Sequence, residues 1–143
     1  MNFEQFINDQ AIPKNWEILS ARLDMNNQTV EKQRRKIIGE ILEYSEAAEN
    51  FRASNSEQDY REMCFELADI ALAICSLLHI QERRYVQSKH PFATDAESMI
   101  MRIICRASSE VLSGLREYTL LLNIDLIGFM KEKMEYNRTR KDW

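Results

Sequence analysis

Apolar residues recur along this chain at helical spacing, and no segment alternates strictly enough to make a strand. Phe3, Phe6 and Ile7 share one side of a short amphipathic helix over residues 2–10, and Pro13 either ends it or starts the next. Trp16, Leu19 and Leu23 carry the spacing on and predict a helix over 14–24. After a polar connection at 25–28, Thr29 is an N-cap candidate, its capping box incomplete because Lys32 stands where an acid would complete it. The helix that follows is predicted over 30–52. Its apolar stripe is Ile37, Ile38, Ile41, Ser45 and Ala48, with Leu42 and Phe51 at the margins and Glu40, Glu43 and Ala47 on the other side. ASNSEQ at 53–58 reads as a polar loop, and a central helix is predicted over 59–80. Residues 81–95, polar and containing His90-Pro91, read as a longer, mobile connection. A long helical pattern covers 96–122 with Gly114 as its bend, and Asn123 or Asp125 caps a last helix running to about Arg140.

The stretch at 65–80, FELADIALAICSLLHI, organises the rest. Leu67, Ile70, Ala71, Leu72, Ala73, Ile74, Cys75, Leu77 and Leu78 make it apolar on every side, and a helix apolar all round is a buried helix. The fold class that follows is all-α: a single domain over 1–143, built as a four- or five-helix bundle. In so small a chain, a helix buried on all sides also points to an oligomeric interface through it. Two acids nevertheless open the stretch. Glu66 and Asp69 stand three residues apart, some 60° round the helix and one turn along. Carboxylates in such company need a cation, a hydrogen-bond partner or a metal.

Composition narrows the partners. With 29 % charged residues, 45 % hydrophobic residues and only three Gly and two Pro, the 143 residues have the profile of a soluble helical domain. The net charge of −4 leaves no basic face outside the C-terminal end, which disfavours nucleic-acid binding. Cys64, Cys75 and Cys105 form no CxxC pair and read as reduced core thiols of a cytoplasmic protein. The N-terminal residues lack the pattern of a signal peptide, and the longest apolar run reads as too short and too polar at its ends to span a membrane. His79 ends an apolar run and His90 precedes a proline. Neither stands in an E-x-x-H arrangement, which disfavours a di-iron bundle.

The candidate chemistry lies in two acid pairs. Glu40 and Glu43 form E-x-x-E on one helix, Glu66 and Asp69 form E-x-x-D on the next, and 22 residues separate the pairs. That interval accommodates a loop and a turn of helix, so an antiparallel hairpin brings the pairs face to face. Four converging carboxylates cannot all stay ionised alone. Mg²⁺, or Mn²⁺ in its place, resolves this, being hard, oxygen-seeking and able to keep waters for exchange with phosphate oxygens. Later, Lys133, Asn137 and Arg140 fall at i, i+4 and i+7, on one helix face where two cations and an amide can grip phosphate.

The runs GEILEYSEA (39–47) and FELADIAL (65–72) resemble the E-x-x-E…E-x-x-D signature of the all-α nucleoside triphosphate pyrophosphatases. These are the MazG-like proteins, with the dimeric dUTPases and phosphoribosyl-ATP pyrophosphatases as relatives. KMEYNRTRKDW (133–143) is similar to that family's late K-x-x-x-N-x-x-R element. The resemblance implies hydrolysis of a nucleoside triphosphate to monophosphate and pyrophosphate by a homo-oligomer, dimer or tetramer. Glu40, Glu43, Glu66 and Asp69 would be Mg²⁺ ligands and catalytic residues, and Lys133, Asn137 and Arg140 would contact the substrate. Glu46 offers a second register with Glu43. The G-E-x-x-E-x-x-E-A run favours Glu40 with Glu43, leaving Glu46 peripheral.

Blander readings stand beside these. The acids suit any solvated helix face, and Lys133, Asn137 and Arg140 suit a charged helix end. Trp16, Tyr44, Phe51 and Tyr60 can stack on a base but more often pack a core. Rivals to a broad house-cleaning hydrolase are a narrow dUTPase-type enzyme and a non-catalytic helical adaptor or nucleotide-binding protein.

Overall fold

The computed structural model describes residues 1–88 and 94–142. Within these, every regular element is helical: α1 (Phe3–Phe6), a π-helical turn (Ile7–Ala11), α2 (Ile12–Ser20), a 3₁₀ turn (Met25–Asn27), α3 (Val30–Ser54), α4 (Glu57–Ile80), α5 (Ala96–Ile104), α6 (Ser108–Leu121) and α7 (Leu126–Thr139). The all-α expectation holds, with more pieces than four or five.

Of the two readings of Pro13, the structure bears out the second: it opens the next helix. It sits in the first turn of α2, directly after the π turn, in which the Ile12 N–H reaches the Ile7 carbonyl five residues back. A proline lacks the N–H and crowds the carbonyl four residues back, and the wider turn ahead of it lets one helical run continue through. The predicted helix over 96–122 breaks at Arg106, not at Gly114. Arg106 is left-handed at φ 66, and the Ala107 N–H closes on the Arg102 carbonyl at 2.8 Å. Neither glycine nor proline announces that break. What separates the pieces is their partners, since α5 packs on α3 and α6 on α4.

The α3–α4 hairpin is the frame. The Thr29 hydroxyl accepts from the Lys32 N–H to start α3, and the left-handed Asn55, φ 52, stops it. The Ser56 hydroxyl then accepts from the Asp59 N–H to start α4 at once, with Glu57 and Asp59 set against the positive end of the new helix. The predicted polar loop is thus only two residues, Asn55 and Ser56. So short a connection makes the helices antiparallel neighbours. Glu43 and Asp69 then stand at nearly equal distances from the turn.

Residues 70–78 of α4 are buried without a break. By length and composition α4 could cross a membrane, contrary to the expectation from its ends, yet it lies inside the bundle. Helices α2, α3, α6 and α7 of the same chain cover it. Its all-round apolarity is therefore accounted for within one chain and does not by itself call for a partner. Buried amides tie the layers together: Gln33 Nε2 donates to the Ala73 carbonyl at 3.0 Å, and Asn15 Nδ2 donates to the Leu72 carbonyl and Ser76 Oγ. Cys64 and Cys75 are core thiols, whereas Cys105, read as a core residue, is exposed where α5 ends.

The connection read as mobile is anchored in its first half. Tyr85 is buried against Phe3, its hydroxyl 2.9 Å from Ser113 Oγ, and the Asn8 side chain bonds both its N–H and its carbonyl. His90 lies outside the described residues. At the start of α7, Asp125 caps the Gly128 N–H so closely that a Cβ on Gly128 would collide with its carboxylate. Gly39, in contrast, faces open space.

Two stability measurements follow. Tyr85→Ala is expected to lose about 3 kcal/mol in urea denaturation, as a core aromatic does, and a loss under about 1 kcal/mol would mean the connection is not part of the core. Gly39→Ala is expected to gain about 0.5–1 kcal/mol, because the alanine relieves a helix-interior glycine without a clash.

Candidate functional site

Helices α2, α3, α4 and α7 enclose a polar cavity of about 410 Å³. Into it α3 directs Lys36, Glu40 and Glu43, and α4 directs Glu66 and Asp69. Lys133 and Asn137 come from α7, Arg140 from just past its last turn, and Asn15 and Leu19 from α2. All seven residues singled out from sequence thus line one space. Glu46 is exposed and outside it.

Three of the acids converge. One carboxylate oxygen each of Glu40, Glu43 and Glu66 lie within 4.8 Å of one another. Asp69 pairs instead with Lys133, whose Nζ is 3.6 Å from Asp69 Oδ2 with both side chains mostly covered. Among the described residues, Glu66 Oε2 and Asn137 Oδ1 are buried polar atoms with no hydrogen-bond partner. Such atoms carry a desolvation cost until a cation or donor meets them. Asn137 is 8 % exposed, so bulk water hardly relieves it.

The charges push on one another. Burial raises the proton affinity of Glu40 first, then the negative charges of Asp69 and Glu43 add to it, and its carboxyl reaches about 7 despite Lys36. Glu66 goes to about 8, by burial and then by Asp69, Glu43 and Glu40, with Lys133 opposing. Asp69 is raised as well, chiefly by burial, with the Lys133 ammonium pulling the other way. Without a cation, this cluster is held partly protonated. Its donors are oxygens alone, clustered and under-satisfied, a set that fits a hard divalent ion such as Mg²⁺ better than a soft one.

Sequence reasoning missed three residues. Lys36 stands one turn before Glu40 and lowers the proton affinity of both Glu40 and Asp69. Asn15 occupies an apolar-spaced position, three residues after Ile12 and four before Leu19, and a polar residue in a stripe was its only signal. With its amide hydrogens committed to Leu72 and Ser76, its oxygen is what it has left to offer a ligand. Arg22 bonds the end of α7 from outside the cavity. The aromatic residues considered for base stacking are elsewhere. Trp16 stacks on His79 at 4.1 Å, and Tyr44, Phe51 and Tyr60 line a separate cavity of about 580 Å³ between α3, α4 and α6.

Compared with family models, curated proteins and solved structures, the chain finds no match in any of the three.

The raised carboxyls set a pH dependence. A carboxyl whose proton is held more tightly in the folded chain than in the unfolded one favours folding at low pH, and that stability is lost as pH rises from about 4.5 to about 8. In EDTA, the melting temperature is expected to fall across this window and the fall to be shallower in Glu66→Gln. At pH 8 without metal, Glu66→Gln should melt above wild type. A wild-type profile flat from pH 5 to 8 would refute the carboxyl coupling.

Proposed function

We propose that this protein is a Mg²⁺-dependent nucleoside triphosphate pyrophosphohydrolase, converting a nucleoside or deoxynucleoside triphosphate to its monophosphate and pyrophosphate. The observation that carries the reading is the convergence of Glu40, Glu43 and Glu66 within 4.8 Å in the cavity that also receives Lys133 and Arg140. Acids and cations both come from the runs that resemble the all-α pyrophosphatases.

Glu40, Glu43, Glu66 and Asp69 would hold the ion. Bound there, Mg²⁺ supplies neutralisation of phosphate charge and polarisation of the phosphoanhydride. The chain's own groups do the rest. Lys133 and Arg140 offset the charge on the polyphosphate, and Lys36 adds a third cation on the opposite wall. With the ion in place, one of these four acids would also orient the attacking water. Asn137 offers its unpartnered oxygen to a donor at the same end. Further along α4 the cavity turns neutral, walled by Leu19, Leu72, Ala73, Ser76 and Asn15, and there the nucleoside would lie. Exposed Leu120, Leu121 and Leu122 at the end of α6 supply apolar surface for a homo-oligomer, dimer or tetramer.

The test is pyrophosphate release from a panel of nucleoside and deoxynucleoside triphosphates, with and without Mg²⁺. Wild type is expected to release pyrophosphate only with Mg²⁺, and Glu66→Gln, folded by circular dichroism, to lose about 100-fold or more in kcat. Release of single phosphates would replace the proposed reaction by another phosphohydrolysis. Mg²⁺-dependent binding without turnover would make the protein a nucleotide-binding one.

A further inference from the structure

Arg140, a cation of the acid cavity, already carries an anion supplied by its own chain. Its Nε and Nη2 donate to Asp142 Oδ1 and Oδ2 at 2.6 and 2.8 Å, two parallel bonds in the geometry a guanidinium uses for carboxylate or phosphate. Its main chain is held separately. Arg22, just past the end of α2, donates through Nη1 to the Arg140 carbonyl at 2.8 Å and through Nη2 to the Arg138 carbonyl at 2.7 Å. These carbonyls belong to the last turn and the C-cap of α7, where helix-end acceptors lack partners and a cation is favoured. The ring of Tyr136 lies under both cations, 5.3 Å from the Arg140 guanidinium and 4.9 Å from Lys133 Nζ. Arg140 is therefore fixed at its backbone by α2, supported on an aromatic face, and paired at its tip with a carboxylate two residues away.

We propose that Asp142 is an internal stand-in for the ligand's phosphate, displaced from Arg140 when a polyphosphate enters, while Arg22 keeps Arg140 in place during the exchange. This rests on the phosphate reading of the cavity and assigns it a regulation of its own. Two features favour exchange over a permanent brace. The Asp142 side chain is 63 % exposed, so the pair is worth little in free energy and yields to a multivalent anion. And a carboxylate paired with Arg140, beside a cavity already rich in acids, opposes an incoming polyanion until it moves away. Arg22 does the opposite work. It bridges the α2 and α7 walls without any charge competing for the ligand, which makes it a positioning residue.

The experiment is calorimetric titration of full-length protein with inorganic tripolyphosphate in the presence of Mg²⁺. Asp142→Asn is expected to bind about two- to fivefold more tightly than wild type. Arg22→Ala should bind about threefold more weakly. In an Arg140→Ala background, itself weaker by about tenfold or more, both substitutions should lose their effect. Glu135→Gln removes an equal charge from an acid that pairs with Arg138 instead of Arg140, so it controls for bulk electrostatics and should change binding less than Asp142→Asn. Unchanged or weaker binding by Asp142→Asn, with wild type binding normally, overturns displacement and leaves the phosphate reading standing. If neither wild type nor Asp142→Asn binds tripolyphosphate with Mg²⁺, the phosphate reading fails and displacement fails with it.

Discussion

Mutual repulsion among carboxylates in a half-closed space is the constraint to which the rest of this structure answers. Glu40, Glu43 and Glu66 approach within 4.8 Å, and Asp69 adds its charge to two of them. Left to relax, such groups would swing apart into water. Glu43, which is exposed, can do so, but Glu40 and Glu66 are half-buried and project from the middle of two long helices joined by two residues. The hairpin is clamped by side chains buried on its inner faces, among them Ile37, Ile41, Leu67, Ile70 and Ile74. Each such side chain contributes about 1.5–3 kcal/mol by leaving water, and together they exceed what crowding a few acids costs. The cluster is tolerated by the core beneath it and relieved locally by Lys36, Lys133 and retained protons.

The remaining helices are arranged around that hairpin on two unlike sides. On one, α2 and α7 bring amides and cations and leave a polar cavity. On the other, α5 and α6 cover apolar stripes and leave a space lined by tyrosines. The burial of α4 thus comes from four different neighbours, which explains how one helix can be apolar all round and still carry two acids. Glu66 and Asp69 fall on the sector that faces the polar cavity.

Much of this was legible in the chain because it is local. The 3.6-residue spacing located the long helices, and the i, i+3 acids and the i, i+4, i+7 run of Lys133, Asn137 and Arg140 placed those groups on shared faces. What escaped depends on tertiary partners. Tyr85 lies in a stretch polar enough to read as a mobile connection, and Phe3, Asn8 and Ser113, all distant in sequence, help make it core. The break at Arg106 carries no breaker residue, since it is set by which helices α5 and α6 pack against. Asn15 and Arg22 act through backbone carbonyls of other helices, and a carbonyl has no sequence identity to read.

On the proposed reading, stability and binding pull on the same atoms. A bundle selected only to be stable would replace Glu66 by a neutral or apolar residue and fill the space around Asn137. The chain keeps an unpartnered Glu66 Oε2, an unpartnered Asn137 Oδ1 and three facing carboxyls in one cavity. Each is unfavourable in the bare fold, and on the proposed reading a bound cation would relieve it. Ligand binding and folding would then be coupled through a single set of groups. The strain sits where α2, α3, α4 and α7 meet and where no loop can dissipate it, so whatever relieves that strain also tightens the four helices against one another.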